Sequence, residues 1–597
     1  MAGTAADMPE WSRDDFSTAK PYAWLYGFAD DSFELLRLRD LMRDRAKALG
    51  VTGFSAKWRA YCAPKKGGGF TRFRGQPAAL LCGNYVCTDE GVSVTDRFGC
   101  RVRVCPHPIE PVRRYLDADT GEVRIELAYR RGEAWKSLVV DRAVLASSRE
   151  IVSLSRYGVG VDSVSAPELV KFLSELESLN YCALEEKMCV ARLGWIGSGA
   201  FSPYSAEFRF EGEAGCAGMF KAVRECGDAE RWTETAAEAR RGSLAAKIML
   251  AASFASVLVS PCCLSPFFVH LWGGASAGKT VALMLAASVW ADPAPGEYIH
   301  TLDGTAVGQE LTAGFVNSLP LILDELQTVN ARESCDGIVY RLAEGSGRLR
   351  GAKNGGMQRT RSWRNCILTS GEQPLASGNS GAGAVLRVIG LDCKSEKLFR
   401  DPRATVASIR ENFGFAGKAF VSLLLVPAIM RRAKELQKAH FEGLVSRGAE
   451  EKQAAAASAI LAADELVARH LFCDAPLTEE ELLPLLATPR TSDKCLRAYD
   501  WIADFVAVNP QKFRPGDYSN ELWGTVVISG NVSWAYICRS VLEPKMAEAG
   551  YNLEAFLSWA KRGELLRFND GRCTIRKRIA AGASPMTCVC VRLPEGD

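Results

Sequence analysis

Between residues 122 and 140, apolar and polar positions alternate. Val123, Ile125, Leu127 and Tyr129 alternate with Arg124, Glu126 and Arg130, the period of a strand with one buried face. Arg131-Gly132-Glu133 then turns the chain, and Trp135 with Leu138-Val139-Val140 starts a return strand. The period changes at residues 166–179, where Leu169, Phe172, Leu173 and Leu176 share one face of a predicted helix. Gly194-Trp195-Ile196-Gly197 and Phe201-Ser202-Pro203-Tyr204 fit neither period and read as an aromatic loop. Further on, apolar residues come in short unbroken runs: Phe267 to Trp272, Leu321-Ile322-Leu323 and Asn365-Cys366-Ile367-Leu368. Such runs are expected of strands covered on both faces in a parallel sheet. Val281 to Ala287, Val421 to Met430 and Ala454 to Leu471 are apolar or alanine-rich and predict helices.

These changes of pattern divide the chain. The expected fold class is multidomain α/β. An α+β N-terminal region covers 1–235, a P-loop core 236–395, a helical subdomain 396–472, a linker 473–492 and a small C-terminal domain 493–597. In the last domain, Leu553 to Trp559 reads as a helix. Leu565 to Phe568 and Cys573 to Ile575 read as two strands joined by Asn569-Asp570-Gly571, a hairpin signal. Helix followed by hairpin gives a winged-helix-like expectation.

The chemistry lies where the apolar runs end. Gly273-Gly274-Ala275-Ser276-Ala277-Gly278-Lys279-Thr280 has the spacing G-x-x-x-x-G-K-T at a predicted strand-to-helix junction. Glycines there let backbone N–H groups turn toward phosphate, and the helix N-terminus adds positive partial charge. The expected ligands are ATP and Mg²⁺. Lys279 would reach the β- and γ-phosphates, and Thr280 would hold the metal. The run Leu321-Ile322-Leu323 delivers Asp324 and Glu325 to a strand end: Asp324 for the Mg²⁺ shell, Glu325 to polarise the attacking water. The second acid favours hydrolysis over transfer to a small acceptor. The next run ends in Thr369 and Ser370, either of which is placed to sense the γ-phosphate. Arg387 interrupts the apolar stretch Val385 to Ile389; an unpaired buried arginine is costly, which points to a phosphate in a neighbouring subunit.

Charge and composition narrow the partners. The chain has 597 residues, 48% apolar and 24% charged, with a formal net charge of +3, so it is globular and lacks a global basic signal. Nucleic-acid contact must then be local. Residues 340–364 carry Arg341, Arg348, Arg350, Lys353, Arg359, Arg361 and Arg364 against Glu344 alone, around a glycine-rich turn. A hairpin there would present Arg348, Arg350, Lys353, Arg359 and Arg361 to a phosphate backbone without reading sequence. Residues 561–578 form a second basic segment, seven cations against two acids. Twenty cysteines and a start without a signal-peptide core fit reduced thiols and a cytoplasmic location. Cys82, Cys87, Cys100 and Cys105 are spaced too widely for a usual zinc knuckle and read better as buried structural residues than as a zinc site. The uncharged stretch Ile248 to Trp272 is broken by Pro261 and Pro266 and reads as a buried helix plus the P-loop strand, with no membrane span.

With these residues placed, the chain resembles the helicase-like AAA+ ATPases of mobile elements and prophages. It is similar to cassette-chromosome replicative helicases, which are related to minichromosome-maintenance and superfamily 3 helicases. The resemblance runs through Val104-Cys105-Pro106-His107-Pro108-Ile109, Leu193-Gly194-Trp195, the P-loop, Leu323-Asp324-Glu325, Ser370-Gly371-Glu372 and the tail Cys588 to Pro594. It implies an AAA+ core, a homo-hexameric ring and DNA unwinding during replication of a mobile element. Single-stranded or forked DNA is the implied substrate, with primase or other replication proteins as partners. Two other functions remain open on the residues: a DNA-binding initiator or helicase loader that does not unwind, and a defence-system ATPase.

Overall fold

The computed structural model describes residues 8–62, 69–96, 98–197, 199–205, 208–274, 277–302, 304–324, 335–351, 357, 360–376, 380–393, 397–488, 492–514, 521–530, 532–569, 572–580, 582 and 584–594. The chain forms two compact units: residues 1–191 with 207–211, and residues 192–206 with 212–597.

The first unit begins with three helices, Lys20–Tyr26, Ser32–Ala48 and Phe54–Cys62. They close on an aromatic core of Phe16, Tyr22, Phe54 and Trp58. A three-stranded meander follows, then a five-stranded sheet. In that sheet Val123–Arg130 pairs antiparallel with Trp135–Asp141, from Arg124 opposite Asp141 to Arg130 opposite Trp135. This is the hairpin expected from the alternation. The helix Ala166–Leu179 also forms where its period places it, burying Leu169, Phe172, Leu173 and Leu176. Cys82, Cys87 and Cys105 are buried in one core and Cys100 in another. Among the described residues no group of three or more His, Cys, Asp or Glu converges as metal ligands.

The second unit is built around a parallel sheet. Its strands are β1 (Phe267–Trp272), β2 (His300–Thr301), β3 (Leu321–Asp324), β4 (Cys366–Gly371) and β5 (Val388–Asp392), in spatial order β2-β3-β4-β1-β5. All neighbouring pairs are parallel, so every carboxyl end opens on the same edge. The unbroken apolar runs are explained by burial on both faces: Phe268, Val269, Ile367 and Leu368 are fully excluded from solvent. Helix α1 (Leu244–Val259) lies buried on almost all sides, and α2 (Lys279–Ser288) starts directly after the glycine loop. Helices α3 (Ala306–Val316), α4 (Cys335–Ala343) and the single turn α5 (Ala382–Val385) complete the core. The uncharged stretch from Ile248 thus divides between α1 and β1, and among the described residues no helix is long and apolar enough to cross a membrane. After β5 the chain is helical through α6 (Glu451–Val467), whose alanine face packs into the core. Residues 192–206 contain a two-residue ladder, Gly194–Trp195 against Phe201–Ser202, in the segment read as a loop.

The C-terminal part holds helices Lys494–Val508, Arg539–Glu548 and Leu553–Arg562 beside an antiparallel sheet. One local expectation is corrected here. Leu566–Arg567 and Ile575–Lys577 do not pair with each other; both pair with Met586–Arg592. They are two pieces of one edge strand, since the other side of Met586–Arg592 is taken by Val532–Cys538. Asp570 and Gly571, the centre of the expected hairpin turn, lie outside the described residues, and the later strand supplies five ladder positions to the two pieces.

Candidate nucleotide site

Register sets the carboxyl edge of the sheet. Trp272 at the end of β1 pairs with Gly371 and with Asp392, and Leu323 pairs with Thr369, so the strands finish nearly level. β1 runs into the glycine loop. Gly273 has φ of +136° and Gly278 has φ of +94°, conformations that an L side chain resists. A Cβ on Gly278 would also stand 3.1 Å from the Phe399 ring. Backbone geometry and packing therefore both require glycine at position 278. The loop is tied down from outside by the Leu398 N–H, which donates to the Ala277 carbonyl at 3.0 Å.

Lys279 is the first residue of α2, and its ammonium donates to the carbonyls of Gly273 and Gly274 at 2.9 and 2.8 Å. The lysine thus curls over its own loop. Thr280 follows in the first helical turn with its side chain exposed. Ala275 and Ser276 lie outside the described residues. Across the edge, the Ser370 hydroxyl donates to Asp324, a short bond that joins the ends of β3 and β4. Ser370 is itself buried. Thr369 has a different place: its hydroxyl meets His270 Nδ1 at 2.8 Å inside the sheet. Of the two sensor candidates, only Ser370 contacts the acidic strand end. Glu325 lies outside the described residues.

His270 is a residue whose role the sequence did not announce. It sits on β1, with no exposed surface, and its Nε2 lies 2.9 Å from the Gln373 carbonyl. A carbonyl only accepts, so Nε2 carries the proton and Nδ1 accepts from Thr369. Burial pushes the imidazole down to about 4, and the nearby Lys279 charge acts in the same direction against the Gln373 hydrogen bond. The neutral ring pins the turn after β4 to β1. The only sequence signal was a polar residue inside an apolar run.

Arg387 stands at the opposite edge. Val388 at the start of β5 pairs with Phe268 near the start of β1, whereas Lys279 follows the other end of β1. At about 3.3 Å per residue, the strand separates them by roughly 13 Å or more, farther than an arginine side chain extends. Its guanidinium donates to the Gly383 carbonyl at 2.8 Å and lies 5.2 Å from the Tyr340 ring centroid.

The basic segment leaves α4 and returns as a paired ribbon. Ser346 bridges Ser362, Gly351 bridges Met357, and the Gly347 N–H donates to the Arg361 carbonyl at 2.9 Å. Arg350 donates to the buried Glu310 carboxylate at 3.0 Å, Arg348 lies 3.9 Å from it, and Arg361 pairs with Glu213. Lys353 and Arg359 lie outside the described residues.

Comparison with known proteins adds to this geometry. Residues 88–363 match the family described as a domain of unknown function (DUF927), and residues 493–596 match the Cch helix-turn-helix domain. Among solved structures, one titled "SCCmec type IV Cch - active helicase" superposes with a TM-score of 0.62 at 15% identity, covering 86% of this chain and 98% of that one. The fold is similar to that of a cassette-chromosome helicase. With the helix-turn-helix match, the likeness to cassette-chromosome helicase-like proteins reaches both the core and the C-terminal domain. The apo A form of the NrS-1 C-terminal region aligns with a TM-score of 0.28 at 9% identity, over 81% of this chain and 97% of that one. No match is found among the curated proteins.

Proposed function

We propose that the chain is an ATP-dependent DNA helicase with an AAA+ core, working as a homo-hexameric ring on single-stranded DNA during replication of a mobile element. The observation that carries this reading is the meeting of Lys279, Asp324 and Ser370 at one carboxyl edge, on a sheet whose strand order inserts β4 between the P-loop strand and the acidic strand. That edge is where parallel α/β sheets bind ligands. Lys279 binds the phosphates, and its present carbonyl partners release it to do so. Thr280 and Asp324 offer a hydroxyl and a carboxylate oxygen, a hard donor set that fits Mg²⁺. When bound, the ion neutralises phosphate charge. Glu325 orients water. Arg387, too far from its own chain's loop, serves the site of the next subunit. The ribbon joined by Ser346–Ser362 and Gly351–Met357 carries the strand. The likeness to a protein titled an active helicase supports the same reading.

A forked duplex with ATP tests it. Strand separation is expected from the wild type and none from Lys279→Ala. Separation by that variant would remove the ATP-driven mechanism. Replacing Lys353 by Ala is expected to leave hydrolysis intact and stop unwinding; unwinding at the normal rate would take the ribbon out of the DNA path. The helix-turn-helix match favours a second reading, a DNA-binding initiator or loader that hydrolyses ATP without unwinding. Fork binding and ATP turnover with no separated strand is the result that selects it.

A further inference from the structure

The backbone around Arg387 is held from several sides. Its N–H donates to the Ala384 carbonyl at 3.1 Å, and its carbonyl accepts from Phe268 N–H at 2.8 Å. The residues on either side present carbonyls to one distant side chain. Gln453, in the first turn of α6, donates one amide N–H to the Val385 carbonyl at 2.8 Å and the other to the Val388 carbonyl at 2.7 Å. Its amide oxygen accepts from the Ala487 N–H. The side chain is 3% exposed. A primary amide has two donors and one oxygen, and here all three engage backbone groups.

We infer that Gln453 is the positioning residue for Arg387, clamping the two carbonyls that bracket it so that the guanidinium is aimed before a neighbouring nucleotide arrives. This rests on the reading of Arg387 as the arginine finger. Fixing both flanks of one residue fixes its Cα–Cβ direction. The guanidinium end is held separately, by the Gly383 carbonyl and the face of Tyr340. Gly383 leaves room for this: a Cβ there would come within 2.9 Å of Tyr340 and 3.0 Å of Arg387. Glutamine suits position 453 for a chemical reason. Glutamate keeps the shape but turns an acceptor toward two carbonyls, and methionine keeps the volume but offers no donor. Lys452, beside it, lines the same cleft as Arg387 and leaves the clamp to Gln453.

The test uses the full chain and ATP. Gln453→Met is expected to lower the hydrolysis rate about 100-fold, the scale of a small misplacement of a reacting group, while the affinity for a fluorescent ATP analogue stays within about twofold, since the finger contributes in the transition state. Mixing supplies the readout that a merely structural defect would not give. Lys279→Ala protein has an intact finger but no working loop; Gln453→Met has the reverse. A mixed ring contains competent junctions, so activity is expected to return, as is also expected for Arg387→Ala mixed with Lys279→Ala. Gln453→Glu is expected to behave alike and replaces the methionine variant if that one does not fold. Wild-type hydrolysis by Gln453→Met beside a silent Arg387→Ala would overturn the inference and leave the finger standing. So would a slow Gln453→Met that mixing fails to rescue while Arg387→Ala is rescued. Wild-type hydrolysis by Arg387→Ala would instead end the finger reading, and this inference with it.

Discussion

The two edges of one parallel sheet solve different problems. The carboxyl edge collects its groups from consecutive strand ends: Lys279 after β1, Asp324 at the end of β3 and Ser370 near the end of β4. Parallel register brings them together, and the Leu398 and His270 hydrogen bonds hold the loop and the turn after β4 in place. At the amino edge Arg387 is supported locally by Gly383, four residues earlier on α5, and from far away in sequence by Tyr340 on α4 and Gln453 on α6. A motif can specify the first arrangement because neighbours in the sheet share an edge by topology. The second depends mostly on tertiary contacts. On the proposed reading, splitting the charges between edges would let one site be completed by two subunits.

The strongest test of this contrast is Lys279→Ala at the carboxyl edge. Steady-state ATP hydrolysis is expected to fall about 10³-fold, the scale of losing one preorganised charge at the reacting phosphate. Hydrolysis near the wild-type rate would move the site elsewhere. Between the edges, His270 makes a prediction about stability. Its folded pKa of about 4 lies below the ordinary 6.5. The unfolded chain therefore takes up a proton that the native sheet refuses. Stability from this group is present above pH 6.5 and is lost as the pH falls toward 4, by about 3 kcal/mol in all. Denaturant unfolding at pH 7 and pH 4.5 should show a smaller loss for His270→Gln than for the wild type; equal losses would place the acid sensitivity in other groups. Ser370→Ala ranks next. Removing a hydroxyl that orients a metal-binding carboxylate typically costs about 10- to 100-fold in metal affinity. The Mg²⁺ concentration for half-maximal hydrolysis should rise by that factor, with maximal rate less affected. An unchanged requirement would show that Asp324 is oriented without Ser370.

What could be read from the chain itself follows the same division. The glycine loop, the acidic strand and the strand ending in Ser370 were legible because each is a local apolar run with chemistry at its end. The hairpin at Val123–Asp141 and the helix Ala166–Leu179 were legible because their periods are unbroken. The misread pair, Leu566–Arg567 and Ile575–Lys577, had a strong local turn signal between them, but their partner strand begins at Met586. Local turn chemistry cannot show that a later strand will outcompete the hairpin. His270 is the single polar residue of an apolar strand, whereas Gln453 follows Glu451 and Lys452 at the polar start of an alanine-rich helix. The tell of His270 is being polar where burial is expected, which marks a buried hydrogen-bonding role without naming the partner, while Gln453 carries no such local signal. Thr369 and Ser370 were indistinguishable in sequence because neighbouring strand residues face opposite ways; register sends one hydroxyl to His270 and the other to Asp324.

The smallest effect expected lies at the amino edge, and it separates aiming from charge. Tyr340→Leu keeps an apolar side chain under Arg387 but removes the ring face that the guanidinium covers at 5.2 Å. Cation–π contacts of this partly exposed kind are worth about 0.5–1 kcal/mol, so ATP hydrolysis should slow only about two- to fivefold. Nucleotide affinity should stay constant, because Tyr340 acts through Arg387 and not on the bound phosphate. The effect should also vanish in an Arg387→Ala background, where there is no guanidinium left to hold. A double-mutant cycle measures this directly. If Tyr340→Leu slows hydrolysis equally with and without Arg387, the ring supports α4 rather than the arginine, and the amino edge aims its charge through Gly383 and Gln453 alone.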